Sequence, residues 1–226
     1  MGLAGSPSND VILGRLMNGI ESFEIIVNGD SSNHNVSYSN ALFTHNCIPT
    51  GRPFARIGRP LGEAVRKVEH YNVRKITGDG RCMFRALAKG MAANKGITLN
   101  MRQETNDADE LRIAVKEVIC NSEEERHKYE EAIIAITVDE SLKQYCQRIQ
   151  RCNFWGGESE LLVLSRLCRQ SIIVYIPEHE YTRGHRGGVI PIAEYGVEFI
   201  KGGKNVKPRK PVRLLYSGKN HYDLLL

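Results

Sequence analysis

No apolar run in this chain of 226 residues approaches the length a bilayer crossing needs. Its opening stretch also lacks the basic start and apolar block of a secretion signal. Paired cysteine spacing is missing as well. The six cysteines stand at positions 47, 82, 120, 146, 152 and 168, and no two of them form a C-x-x-C pair. Without an export signal, that pattern predicts a reducing compartment and free thiols, with Cys120 and Cys168 buried on apolar helix faces. Cys146 and Cys152 are spaced too loosely for a zinc knuckle. His45 and Cys47 find no second pair, so no metal is expected. No internal repeat, zinc finger, RNP-like run or helix-turn-helix pattern is present, and the basic residues are spread rather than bunched. The net charge of +5 suits a partner with acidic patches without selecting one, and nucleic acid is not expected. Membrane association is not expected either.

What is present fits a globular protein. An apolar share of 41% and a charged share of 25% are ordinary for one, and the length suffices to bury a core. Residues 1–63 differ from the rest. They are rich in Gly, Ser and Asn and carry only short apolar pieces, Val11-Ile12-Leu13 and a lone candidate strand at 23–27. The expectation is a mostly disordered N-terminal extension over 1–63 and one domain over 64–226. Met1 to Ser6 fits the spacing of a myristoylation signal, and the low acidic content permits a transit peptide, though arginines are few. Cytoplasm is the default location, with nucleus and plastid left open, and monomer the default state.

From residue 61 the chain tightens. Residues 62–71 read as a short amphipathic helix and 73–76 as an extended lead into a glycine turn. A helix follows from residue 82, with Met83, Phe84, Leu87, Ala88 and Met91 at helical spacing. Residues 96–106 read as a loop, and Asp107 as the cap of a helix running to Cys120. Asn121 or Ser122 caps the next, and further helices pass through Leu142 to Ile149 and through 158–169. Strands follow at 172–176, 189–192, 212–216 and 221–226, the last two joined by a hairpin turn at 217–220. Helices early and strands late predict an α+β fold with a small β-sheet flanked by helices.

Two local patterns carry chemistry. Gly78-Asp79-Gly80-Arg81-Cys82 is a turn in which either glycine can take positive φ, delivering Cys82 to a helix N-terminus. The dipole and unpaired amides there favour an anion. They are expected to lower the thiol pKa and to hold an oxyanion on the backbone of Gly80, Arg81 and Cys82. A buried structural thiol would also fit. A nucleophilic thiol needs an imidazole base. Of seven histidines, His221 alone opens a strand straight after a turn, and Asp223, two residues on, shares its face.

Three blocks in order then resemble the OTU (ovarian tumour) cysteine proteases, in particular their plant branch. Gly78 to Ala86 looks like their nucleophile motif, Phe154-Trp155-Gly156-Gly157-Glu158 to Leu161 their central W-G-x-x-x-E-L segment, and Asn220-His221-Tyr222-Asp223 their terminal histidine motif. The resemblance spans residues 65–226. It implies a papain-related cysteine protease fold and a deubiquitinase that hydrolyses isopeptide bonds at the ubiquitin C-terminus without cofactor. By position, Cys82 is the nucleophile and His221 the base. Asp223 and Asp79 compete for the third role, the shared strand face favouring Asp223 as orienter and leaving Asp79 to shape the glycine turn. Trp155, Gly156 and Gly157 read either as a helix-start cap or as the wall of a channel for the Gly-Gly tail of ubiquitin. The Arg- and Gly-rich stretch 179–188 is a candidate grip on ubiquitin. Partners would be ubiquitin and polyubiquitin chains. A catalytically silent ubiquitin-binding module and a cysteine hydrolase of a ubiquitin-like or other substrate are the alternatives.

Overall fold

A six-stranded mixed sheet organises the molecule, its main face covered by helices. The computed structural model describes residues 59–60, 67–178, 187–201, 208–217 and 220–226. The strand expected at 23–27, the myristoylation-like start, His45, Cys47 and most of the stretch 179–188 lie outside the described residues.

The strands are β1 (Arg59–Pro60), β2 (Val73–Arg74), β3 (Ile172–Pro177), β4 (Val189–Tyr195), β5 (Val212–Ser217) and β6 (His221–Leu225). Their order across the sheet is β1-β4-β3-β5-β6-β2. Only β3 and β5 run parallel. The others pair antiparallel, with Ser217 opposite His221 where β5 turns into β6. The two central residues of that turn, 218 and 219, are outside the described residues.

Side chains alternate across each strand. Ile172 and Val174 of β3, Val212 and Leu214 of β5, and Tyr222 and Leu224 of β6 enter the main core. Tyr175, Leu215 and Leu225 turn to the other face, where Val189, Tyr71 and Ile173 join a smaller cluster. His221 and Asp223 share a strand face with Leu225, so they lie on this second face.

The helices are α1 (Cys82–Asn94), α2 (Met101–Lys116) continued by a π-helical turn (Glu117–Asn121), α3 (Glu123–Arg126) with a 3-10 turn (His127–Tyr129), α4 (Glu130–Asp139), α5 (Leu142–Arg148), α6 (Glu158–Leu167) and α7 (Glu198–Lys201). None among the described residues is long and apolar enough to cross a membrane. Helix α1 lies directly on β5 and β6. A Cβ at its Gly90 would come within 2.5 Å of Val212 and 3.0 Å of Leu224. That close approach fixes the height of the helix, and so of Cys82, over the sheet.

The structure corrects three expectations. Residues 67–71, the described part of the predicted helix at 62–71, are not helical, and Glu69 makes a β-bridge with Val189. Sheet pairing outweighs the weak amphipathic pattern there. Helix α2 begins at Met101, inside the predicted loop, because Asn100 caps it: the Asn100 side chain accepts from the Gln103 amide while Gln103 accepts from the Asn100 amide. This reciprocal pair satisfies two donors at once, and Asp107 falls inside the helix rather than at its start.

The third correction concerns the thiols. Cys120 and Cys146 form a disulfide, their Cα atoms 5.7 Å apart. The π-helical turn and α5 pack together and bring into reach two residues whose spacing in the chain gave no sign of pairing. Among the described residues Cys82, Cys152 and Cys168 are free. Burial pushes the Cys168 thiol up to about 12, as an inert core residue requires.

Candidate active site

Cys82 is the first residue of α1, and the turn before it accounts for its position. Gly80 takes φ of 81°, a left-handed conformation, whereas Gly78 is not among the residues with positive φ. The same turn brings Gly80 against the backbone of Asn153, and a Cβ there would sit 3.0 Å from Asn153 Cα. Gly78 instead faces the imidazole: a Cβ on it would lie 3.6 Å from His221 Nδ1. The Cys82 thiol reaches the same strand start, its Sγ lying 3.8 Å from the Asn220 carbonyl oxygen. The glycine turn, the thiol and the Nδ1 edge of His221 therefore meet at one end of the sheet.

Three backbone amides, those of Tyr222, Met83 and Cys82 itself, pull the Cys82 thiol pKa downward, but burial outweighs them and holds it above its ordinary value. The expected lowering by the helix N-terminus is thus overturned: the helix contributes, and desolvation is larger. Helix α1 has no side-chain cap, so no capping side chain takes its first-turn amides. The Arg81 amide, one residue earlier, is taken. It donates to Asp79 Oδ1 at 3.1 Å, which removes it from the expected oxyanion set and leaves Gly80 and Cys82.

The two acids part company. Asp223 Oδ1 lies 3.0 Å from His221 Nε2 and accepts the Ile76 amide at 2.9 Å, while Oδ2 accepts from Lys75 Nζ at 2.8 Å. Burial raises the Asp223 pKa, and hydrogen bonds from Lys75, Ile76 and His221 more than offset it, so the group stays below the usual carboxylate range.

Asp79 holds no histidine in these bonds. It accepts from Arg85 Nη2 at 2.6 Å and from the Arg81 amide, which against a burial penalty also leave it lowered. From there an ion network ties the turn to α2. Arg85 approaches Glu104 at 3.5 Å, and Glu104 pairs with Lys89. Arg81 Nε donates to Asp109 at 2.9 Å, as does Arg112 at 2.8 Å. Arg112 also donates to the carbonyls of Ile149 and Arg151, just ahead of the Asn153 backbone that abuts Gly80.

Apart from Asp79 and the backbone of Arg81, these network residues were not read from the sequence as site residues, and neither was Lys75. Partners so distant along the chain leave no local pattern. Arg85 alone had a sign, a charge at a position of α1 that turns toward the core.

The Trp155-Gly156-Gly157 segment divides by residue. A Cβ at Gly156 would meet the Met83 side chain at 2.4 Å and Phe84 at 3.1 Å, so this glycine lets the loop lie on α1. Gly157 has room, its nearest neighbour a Glu160 oxygen at 3.9 Å. Its amide donates to Glu160 Oε2 at 2.6 Å, and Tyr145 hydroxyl donates to the other oxygen at the same distance. Trp155 is 46% exposed, unusual for the largest side chain. No group of three or more His, Cys, Asp or Glu able to hold a metal occurs among the described residues.

Comparison with known proteins places the chain in a family. A family model described as OTU-like cysteine protease matches residues 77–222, from the glycine turn to the last strand. The chain is 57% identical over 230 residues to ovarian tumor domain-containing deubiquitinating enzyme 3 of Arabidopsis thaliana, covering 97% of this chain and 98% of the relative. That alignment takes in most of the stretch before residue 64 as well. It is 34% identical over 157 residues to deubiquitinating enzyme 4 of the same plant, covering 69% of this chain and 43% of that one. Among solved structures, the Hazara virus OTU bound to ubiquitin aligns with a TM-score of 0.46 at 22% identity, over 71% of this chain and 86% of that one. The chain belongs to the OTU-like cysteine protease family.

Proposed function

We propose that this chain is a thiol-dependent deubiquitinating enzyme that hydrolyses isopeptide bonds at the C-terminal glycine of ubiquitin, in conjugates and in polyubiquitin chains. The observation that carries the reading is the near end-to-end match, at 57% identity, to a plant deubiquitinating enzyme.

In the proposed mechanism His221 takes the proton of Cys82, and the thiolate attacks the carbonyl carbon of the ubiquitin C-terminal glycine. Negative charge that develops on that oxygen is met by the amides of Gly80 and Cys82. The imidazolium then protonates the leaving lysine amine, and a thioester to Cys82 remains. Water, deprotonated by His221, hydrolyses the thioester and returns the thiol. Asp223 fixes the ring through Nε2, which leaves Nδ1 for proton transfer. Asp79 holds the turn. Trp155 is the proposed contact for the extended ubiquitin tail, with Gly156 and Gly157 setting its height. Burial of the thiol opposes the charge separation that this transfer creates.

The test is reaction of the purified chain with ubiquitin bearing a C-terminal thiol-reactive group, beside Cys82→Ala. A covalent adduct on the wild type and none on the variant is expected. Ubiquitin binding without an adduct on folded protein would overturn the enzyme in favour of a binding module. Adducts formed only with ubiquitin-like modifiers would overturn the substrate.

A further inference from the structure

Among the described residues, Lys75 is the one charged side chain bonded to the proposed catalytic groups that this mechanism leaves unused. Its side chain is 80% exposed, yet its ammonium contacts the carboxylate of Asp223, whose side chain is 0% exposed. A lone exposed lysine gains little by holding one rotamer against a carboxylate. Here the backbone does the placing. Val73 pairs with Leu225 and Arg74 with Leu224, and one more step in that register sets Lys75 opposite Asp223. Directly opposed residues of antiparallel strands share a face. The ladder then ends on a side chain, since the Ile76 amide donates to Asp223 Oδ1. The two oxygens are thereby divided, Oδ1 to the ring and the amide, Oδ2 to the ammonium.

Among the described residues, the other charges of α1, its turn and β5 near this corner are engaged elsewhere. On α1 and its turn, Arg81 and Arg85 are held by Asp79, Asp109 and Glu104, and Lys89 by Glu104. On β5, the Arg213 guanidinium stacks 5.0 Å from the Tyr71 ring centre. Of the remaining titratable groups, Tyr222 points into the main core against Tyr216, and Cys82 faces the turn. Among the described residues Lys75 is the cation bonded to Asp223.

We propose that Lys75 is a positioning residue of this site: it balances the charge of Asp223, so that the carboxylate orients the His221 ring without over-stabilising the protonated thiol–imidazole pair. A bare carboxylate on Nε2 would favour every protonated state of that pair. The ammonium on the opposite oxygen cancels much of this while leaving the orienting hydrogen bond in place. The inference rests on the reading of Cys82, His221 and Asp223 given above.

The experiment is the pH profile of kcat/KM for ubiquitin-conjugate cleavage by the full chain, compared among wild type, Lys75→Met and Lys75→Arg. The pair titrates as a unit, so loss of a nearby cation should move both limbs of the profile to higher pH. A unit charge lost at this distance near solvent corresponds to roughly half to one pH unit. Lys75→Arg should restore the wild-type limbs. The rate of Cys82 alkylation by iodoacetamide, followed by mass spectrometry across the same pH range, reads the pair without ubiquitin and should shift in the same direction. Unmoved limbs with activity lowered equally at every pH would overturn the inference and leave Lys75 a strand-holding residue. Unmoved limbs with unchanged activity would overturn it too. Cleavage that survives Cys82→Ala would instead sink the underlying reading, so the two failures are distinguishable.

Discussion

Asp79 and Asp223 both hold their carboxyls below the usual range against burial, yet they do so by opposite constructions. At the cysteine end, Asp79 sits among long cationic side chains, and Arg81 and Arg85 carry its charge outward to Asp109 and Glu104 of α2. At the histidine end, Asp223 is held by strand register, with a backbone amide, a ring nitrogen and a single exposed ammonium. The first arrangement shapes a turn, and its currency is a shared network of charge. The second aims one ring, and its currency is geometry. A carboxylate within the motif is therefore built here into the turn, while the other is built onto the ring.

Truncating each acid should separate these roles. Asp223→Ala is expected to lower kcat by about 10²- to 10⁴-fold with little change in KM, because the imidazole loses the partner that fixes its orientation. It should also lower stability by about 1–3 kcal/mol, since the Ile76 amide is left buried without its acceptor. Asp79→Ala should reverse the proportions. Arg85 loses its closest partner while its own side chain is only 7% exposed, and breaking such a pair costs about 3 kcal/mol. Activity measured well below the melting temperature should fall less than in Asp223→Ala. A larger kcat loss in Asp79→Ala, with melting unchanged, would mean that Asp79 is the orienter.

The cysteine end is also held by packing, and its two adjacent glycines sharpen the contrast. Gly156→Ala would press on Met83 and Phe84, and overpacking of this kind costs about 1–3 kcal/mol. Gly157→Ala meets nothing closer than 3.9 Å and should leave thermal stability within about 0.5 kcal/mol of wild type. If Gly157 forms the channel wall, KM for ubiquitin substrates rises in Gly157→Ala while melting stays put. Unchanged KM would restrict the segment to a packing and capping role.

These contrasts follow how each part could be read from sequence. The turn at Gly78 to Cys82 and the helix after it are local patterns, and so is the two-residue spacing of His221 and Asp223. The Asn100 and Gln103 cap was not read, because the polar run behind it reads as a loop until the reciprocal bonds are seen. Lys75 was not legible, because its contact with Asp223 spans 148 residues and depends on β-register. Cys120 and Cys146 stand 26 residues apart on separate helical segments, and only the packing of those segments reveals the bond. Residues 67–71 show the reverse error, a helical pattern overridden by bridging to β4. The Cys82 thiol failed on magnitude: the dipole argument had the right sign, and burial was the larger effect.

A third acid isolates what the first two overcome. Asp107 lies within α2 and burial alone acts on it, pushing its carboxyl up to about 6. Its folded pKa therefore exceeds the ordinary value of 3.8, and the folded state binds the extra proton between those limits. Stability falls as pH rises through that window and stays reduced above it. Asp107→Asn removes the charge and should raise stability at about pH 7.5 by roughly 1 kcal/mol, read as a melting temperature a few degrees higher. At about pH 4 the wild-type group is already protonated when folded, so the two proteins should melt within a degree of each other. A gain of equal size at both pH values would point to helix propensity rather than to the carboxylate. A gain confined to neutral pH would make Asp107 the unpartnered reference for Asp79 and Asp223, showing how much their arginines, lysine and amides supply.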